Sequence, residues 1–393
     1  LGKDKKIAIV TCCLDDWGGS EELWAKILPI LKDRGVSPIT VYKNKINKDH
    51  PEFVHLITQN VILKELEPSL SFLNKFFFKV TDTFIHLGDK MGLLTYKLNK
   101  PVARLSRYLK NDRPDLVLIS QGINFDGLAF AAICLELDIR YVIVSHKAVS
   151  FYWPQPGDRA YMKNVLLKAE KCFFVSEHNK KLTEEQFGIR LPTSELVFNP
   201  VKVSVSPLPF PENSNGYRLA CVGRLFVIDK GQDILLRVLA QPKWKSREIT
   251  ISFIGKGPDC DGLTELSRLL GVDNVSFEGY HDDLKAIWST HHALILPSRS
   301  EGLPLTIVEA MSLGRMVIAT NAGGNSEFIE DGVTGFIAEP NEKDLDEAME
   351  KAWGRKEEWA LMGTRAAQYI SGHIPEYPER QFANLLNDIL NAR

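Results

Sequence analysis

Residues 292 to 320 read HALILPSRSEGLPLTIVEAMSLGRMVIAT. Two short apolar runs, HALILPS and RMVIAT, flank a segment of helical periodicity that opens at Pro304, where a first helical turn tolerates proline. Strand, helix and strand at this spacing form a βαβ unit, the building block of parallel sheets. If the first strand stops near Ser298, Glu301 falls in the following loop, and residues 302 to 306 present backbone N–H groups that no helical carbonyl accepts. Such a helix start binds phosphate. Glu309 lies about one turn further along, and an ionised carboxylate accepting two hydrogen bonds suits a ribose diol. The plainer alternative makes Glu309 a helix-dipole residue and Glu301 a solvated loop charge.

The pattern extends outward in both directions. YRLACVGRL, ITISFIGKG and NVSFEGY precede the quoted stretch as further strands, and an earlier series, KKIAIVTC, SPITVYK, PDLVLIS, RYVIVSH and KCFFVS, occupies the first half. In that half SEELWAKILPILKDRG reads as a helix capped by Ser20 and stopped at Gly35. A chain of 393 residues exceeds one ordinary core, so two domains are expected. Residues 199 to 216, NPVKVSVSPLPFPENSNG, have linker composition, which places the boundary near residue 205. The expected organisation is an α/β chain with domains over 1–205 and 206–373, and a C-terminal helix over 374–393 that packs back on the first. Phe382, Leu385, Leu386, Ile389 and Leu390 form the stripe by which that helix docks.

Composition narrows the function. A formal net charge of -2 and a pI near 6.6 give no global field for nucleic acid. The six cysteines lack metal-like spacing, and most sit in apolar runs, which fits a reducing cytosol. The start, LGKDKKIAIV, has neither an initiating Met nor a signal-type apolar core, as a trimmed chain or a piece of a larger one would. No run is long enough to span a membrane. Residues 69 to 110 stand apart, with five phenylalanines, Phe76, Phe77 and Phe78 consecutive, and eight Lys or Arg against Asp82 and Asp89. Two readings fit: a surface for an anionic membrane or amphipathic acceptor, or core phenylalanines beside solvated lysines.

Three more strand ends in the second half carry residues suited to phosphate. CVGRLFVIDKGQDILL places Gly223 and Arg224 at one end and Lys230 just before Gly231 and a helix, and two fixed cations suit a diphosphate. FIGKGP supplies Gly255, Lys256 and Gly257, and FEGYHDDL offers Tyr280. Taken singly, each is more often only a turn.

With these residues in view, SEGLPLTIVEAM followed by GRMVIATNAGGNSEFIEDGVTGFI resembles the E-x7-E region of the retaining family-4 glycosyltransferases of GT-B fold. VGRL, KGQDILL, GKGP, VSFEGY and ALILPSRSEG follow in the family's order. In the first half GGSEE, residues 18 to 22, resembles the family's Gly-rich loop, and VSHK places His146 where the family often has a sugar-facing histidine. VFNPV has Pro200 where the family has glycine, so no role carries over to Asn199. The resemblance implies two doubly wound Rossmann-like domains facing each other across a cleft. It implies a UDP-, GDP- or ADP-linked sugar donor held by the second domain and a saccharide or lipid-linked acceptor against the first. Arg224 and Lys230 would hold the diphosphate, and Glu309 the ribose. Glu301, Gly302, Leu303, Pro304 and Leu305 would lie by the sugar and phosphates, with Gly223, Gly255, Lys256 and Tyr280 lining the rest of the donor. Gly18 and Gly19 would approach from the first domain, and His146 would touch a sugar hydroxyl. It further implies retention of anomeric configuration, with no metal and no other cofactor.

Other readings of the same residues remain. His146 at a strand end also fits a satisfied core histidine. The pairs Asp259/Asp261 and Asp344/Asp346 match a metal-binding DxD pattern, but such pairs arise by chance in an acidic chain, and the second sits in a helix where its members face apart. A nucleotide-sugar epimerase or a non-catalytic binding subunit would use the same diphosphate site. A dehydrogenase does not fit, because TCCLDDWGGSEE stands where G-x-G-x-x-G should follow the first strand. The expected setting is cytoplasmic, peripheral on the inner membrane face under the first reading of residues 69 to 110, with no nucleic-acid partner.

Overall fold

The computed structural model describes residues 5–67 and 99–392. The chain divides into two compact units, Leu1–Pro200 with Tyr377–Arg393, and Val201–Glu376. The division falls a few residues before the position expected from composition. The segment after Pro200 already belongs to the second unit, where Ser206 N and Leu208 N donate to the carbonyls of Ser312 and Leu313 at 2.9 and 3.1 Å.

The first unit is built on a parallel sheet of seven described strands: β1 (Lys5–Thr11), β2 (Val36–Lys43), β3 (Ile62–Glu65), β4 (Leu116–Gln121), β5 (Tyr141–Ser145), β6 (Lys171–Phe174) and β7 (Ser194–Leu196). Their order is β3-β2-β1-β4-β5-β6-β7, so the direction of winding reverses between β1 and β4. Every residue of β4 and β5 is buried, as a sheet covered on both faces requires. The second unit repeats the plan with β8 (Tyr217–Val222), β9 (Ile249–Ile254), β10 (Val275–Gly279), β11 (Ala293–Leu296), β12 (Met316–Thr320) and β13 (Gly335–Ala338), ordered β10-β9-β8-β11-β12-β13. Its winding reverses between β8 and β11. The apolar runs of the sequence became the central strands and the edge strand β10. The strands they did not announce, β3, β7 and β13, are all at sheet edges; β3 and β7 are partly exposed and β13 is largely buried, but three or four residues leave little pattern to read.

The helix Gly19–Asp33 buries Leu23, Trp24, Ile27, Leu28 and Leu31. Gly18 precedes it, so Ser20 is not the cap expected from sequence: it lies inside the first turn and donates to Glu21 at 2.6 Å. Against this helix packs the last one, Pro378–Asn391, which buries Phe382, Ala383, Leu386 and Leu390 and sets Phe382 edge-on to Phe173 at 5.1 Å. Arg140 donates to the Ile389 carbonyl at 2.6 Å. Each buried leucine or phenylalanine contributes roughly 1.5–3 kcal/mol, so this stripe alone accounts for the helix joining the first unit.

Of the basic, aromatic segment, residues 69 to 98, including Phe76 to Phe78, lie outside the described residues. Its remainder falls in the helix Lys100–Asp112, which buries Val102, Leu105 and Leu109 in the first unit's core and leaves Arg107 and Lys110 exposed. Over this stretch the amphipathic face is occupied by the protein itself. Among the described residues no helix is long and apolar enough to cross a membrane.

In the second unit Arg315 is fully buried and spends its donors on backbone carbonyls: Trp288 and His291 at 2.9 Å, Gly314 at 3.1 Å, Leu208 at 3.2 Å and Pro209 at 2.8 Å. Burial pulls it down to about 10, so it remains charged at neutral pH. It satisfies carbonyls at the end of the helix Leu284–Thr290 while holding the linker against the unit it enters.

Candidate functional site

In doubly wound sheets ligands bind outside the carboxyl ends of the strands where the order reverses. In the second unit that place lies between the ends of β8 and β11. Gly223 and Arg224 leave β8, and Pro297 to Glu301 leave β11. The backbone there is laced tightly. Gly223 N donates to Ile254 O at 2.9 Å, Gly255 N to Gly279 O at 2.7 Å and Leu225 N to Lys256 O at 3.0 Å. Gly231, at φ +60°, packs so closely that an added Cβ would stand 2.1 Å from the Pro297 carbonyl oxygen. The turn is glycine because backbone fills the space where a side chain would go.

Charged side chains then join the two loops. Lys230 Nζ donates to Glu301 Oε1 at 2.6 Å, and Ser298 Oγ to the same oxygen at 2.7 Å. Arg299 N and Ser300 N donate to the Asp229 carbonyl at 2.8 and 3.1 Å. The Arg299 guanidinium grips both oxygens of Asp233 at 2.5 and 2.8 Å. Burial works to raise Asp233, but hydrogen bonds from Arg299 and Arg237 outweigh it and hold its carboxyl below the usual range. Arg299 is therefore the clamp of the loop. Glu301 is 6% exposed and Glu309, within the helix Leu305–Ser312, is 5% exposed, so neither is a solvated surface charge. Arg224 differs: it is half-exposed, stacked over Phe226 at 4.7 Å, with Asp229 at 3.5 Å.

The remaining candidates of this unit sit around the same strand ends. Gly302, Leu303 and Pro304 form the loop into the helix that starts at Leu305, and the Gly302 carbonyl accepts from Gly324 N at 2.8 Å. Lys256 and Tyr280 are exposed beyond β9 and β10. The acidic pairs are committed elsewhere. Asp259 accepts from Val227 N at 2.7 Å, and Asp346 accepts from Lys243 and from the Trp244 indole at 2.6 and 2.7 Å. Among the described residues no group of three or more His, Cys, Asp or Glu is placed to hold a metal ion.

In the first unit the corresponding reversal lies between the ends of β1 and β4. Gly18 and Gly19 lie in the turn from β1 into its helix, and an added Cβ at Gly19 would meet nothing within 4 Å. The preceding loop is pinned by Trp17, stacked on His50 and edge-on to Phe53. His146 follows β5, with Nε2 at 3.3 Å from Ser120 Oγ, and burial pushes it down to about 4. It is a neutral imidazole at physiological pH. Two features here escaped the sequence reading. Glu21 is fully buried, bonded to Thr11 and Ser20, with Lys43 Nζ at 3.6 Å and that lysine donating to the Cys13 carbonyl. Asp126 accepts from Gly122 N and Ile123 N at 3.1 and 3.0 Å, and burial raises it to about 8. Glu21 stands inside GGSEE, but nothing local to that motif names its partner on β2.

Residues 216–354 match the family model described as glycosyl transferases group 1. A glycosyltransferase of Haemophilus influenzae without assigned substrate is 27% identical over 277 residues, covering 68% of this chain and 75% of that protein. The lipopolysaccharide 1,6-galactosyltransferase of Escherichia coli K12 is 26% identical over 257 residues, covering 62% and 66%. Among solved structures, Anabaena HepE in complex with UDP superposes with a TM-score of 0.71 over 98% of this chain and 100% of that one, at 19% identity. The two doubly wound units give the chain the GT-B fold of that solved structure, and the group 1 glycosyl transferase match falls within its second unit.

Proposed function

We propose that the chain transfers a sugar from a nucleoside-diphosphate sugar to a saccharide or lipid-linked acceptor in polysaccharide or glycolipid assembly, retaining anomeric configuration and using no divalent metal. The observation that carries this reading is the meeting of Lys230, Arg224 and the helix start at Leu305 around the ends of β8 and β11. Lys230 spends one donor on Glu301 and has two more for phosphate oxygens. Two cations and a helix N-terminus supply the positive potential that a metal otherwise brings to a departing diphosphate. In the proposed step the bond from the anomeric carbon to the phosphate oxygen breaks, and the acceptor oxygen bonds to the same face of that carbon. The acceptor's proton passes to the leaving phosphate. Glu309 is assigned to the ribose diol, and Glu301 to holding Lys230 and the sugar end. Relatives named for UDP- or GDP-linked donors support the donor class, and the resemblance of the Glu301–Glu309 stretch to an E-x7-E region supports a family-4 assignment.

A thermal-shift panel of UDP, GDP and ADP selects the base, since a ligand that binds only the folded state raises its melting temperature. With the matching sugar nucleotide, turnover in excess EDTA should equal turnover in magnesium, and NMR of the product should show the donor's anomeric configuration. Activity lost in EDTA and restored by Mg²⁺ or Mn²⁺ would reassign the neutralisation of the diphosphate, and an inverted product would remove the same-face step.

A further inference from the structure

The loop that leaves β5 carries three consecutive aromatic side chains in solvent: Phe151 is 59% exposed, Tyr152 47% and Trp153 59%. By contrast Trp24, Trp244, Trp288 and Trp359 are all buried. A contiguous exposed aromatic surface marks an interaction site. Looseness of the loop does not explain it, because side-chain amides hold its backbone from below. Asn179 Oδ1 accepts from Ala148 N at 3.1 Å, and Asn124 Oδ1 accepts from Val149 N. Gln186 Nε2 donates to the carbonyls of Val149 and Tyr152 at 2.9 and 2.6 Å, and Asn124 Nδ2 donates to Gln186 Oε1 at 2.9 Å. Asn179 and Gln186 are themselves fully buried. Burying amides is costly, and the bonds that these make fix the shape of a loop whose rings are exposed.

The chemistry of the loop selects its ligand. Residues 148 to 157, AVSFYWPQPG, contain no charged side chain, whereas an element that lies on an anionic membrane pairs its apolar residues with cations. Phe151 and Tyr152 stand edge to face at 4.9 Å, and tyrosine and tryptophan each add a hydrogen-bonding edge to an apolar face. A rigid surface of that kind fits a pyranose, which offers C–H groups on one face and hydroxyls around its rim. The loop also begins at His146, on the end of the sheet where α/β units take ligands. We propose that Phe151, Tyr152 and Trp153 form a stacking platform for a sugar ring of the acceptor. The proposal rests on the glycosyltransferase reading and names the acceptor as a saccharide at the point of contact.

The test uses the full chain and methyl pyranosides of glucose, galactose, mannose and N-acetylglucosamine at millimolar concentration, read by saturation-transfer NMR. At least one should give a signal, and Phe151→Leu, Tyr152→Leu and Trp153→Leu, which keep apolar bulk and remove the ring, should together reduce it about fivefold or more. The three positions are exposed, so melting temperatures should not move; the single variants carry the test if the triple variant is unstable. Inorganic pyrophosphate binding, which reports the second unit, should be the same in all variants. No saccharide signal in the parent chain, or an undiminished one in the leucine variants, with pyrophosphate still bound, overturns the platform alone. Absence of pyrophosphate binding in the parent overturns the transferase reading and the platform with it. Sedimentation with phosphatidylglycerol vesicles that depends on the three rings, with the saccharide signal unchanged, overturns the proposal in favour of a lipid surface.

Discussion

Alanine at Lys230 or at Arg224 is expected to lower kcat about 100-fold, while the affinity for the donor's nucleoside monophosphate stays within about twofold. Negative charge builds on the diphosphate as the glycosidic bond breaks, so a cation beside it stabilises the transition state more than the bound substrate. Each loss corresponds to about 3 kcal/mol of transition-state stabilisation. The two variants should differ in stability. Arg224 is half-exposed, and its removal leaves packing intact. Lys230 is bonded to a nearly buried Glu301, whose remaining hydrogen bond would come from Ser298, so Lys230→Ala should also melt earlier. Because the lysine is partly exposed, water relieves part of that cost. Pre-steady-state rates measured well below each variant's melting temperature separate the two effects. Unchanged kcat in both variants would take these cations out of the mechanism.

What the sequence shows of this site is local, and what it hides is contact between loops. Gly223, Arg224, Lys230 and Glu301 stand out because each follows an apolar run that ends in glycine, proline or a charge, and strand ends are where a parallel sheet presents ligands. That Lys230 and Glu301 bond to each other across 71 residues is not visible in either stretch, because it depends on β8 and β11 lying side by side. The same holds for Arg299 and Asp233, 66 residues apart, which lock the loop carrying Glu301. Both lay inside motifs already singled out, SRSEG and KGQDILL, yet neither looked functional, since a clamp has no signature beyond its partner's charge. Ser20 failed as a cap for a related reason. A serine beside a helix start caps only if it precedes the first turn, and Gly18 takes that position here. Glu21, the residue beside it, is the one the fold buries, through a partner on β2.

Gly255→Ala is expected to disable the second unit's site without touching a charged residue. Gly255 adopts φ +152°, a conformation that side chains rarely take, and an added Cβ would stand 1.9 Å from the carbonyl oxygen of Gly223 and 2.8 Å from its carbon. Those atoms are backbone, stitched to the β9 end by the bonds of Gly223 and Leu225, so no side chain can swing aside. The loop that presents Arg224 must then move or the sheet end must open. Backbone strain of 1–3 kcal/mol and a similar overpacking term give a cost of roughly 2–6 kcal/mol, which for a unit of this size lowers its melting temperature by on the order of 10 °C. Inorganic pyrophosphate should bind more weakly in the same variant at temperatures where it is still folded, because Arg224 no longer sits beside Lys230. Gly262→Ala is the matched control: it lies in the helix Cys260–Leu269 with nothing within 4 Å of the added methyl, so alanine should be neutral or stabilising by up to about 1 kcal/mol. Calorimetry and pyrophosphate titration of the two variants decide the matter. A Gly255→Ala protein that melts with the parent and binds pyrophosphate equally would mean that the lacing of the β8 and β9 ends does not fix the diphosphate site.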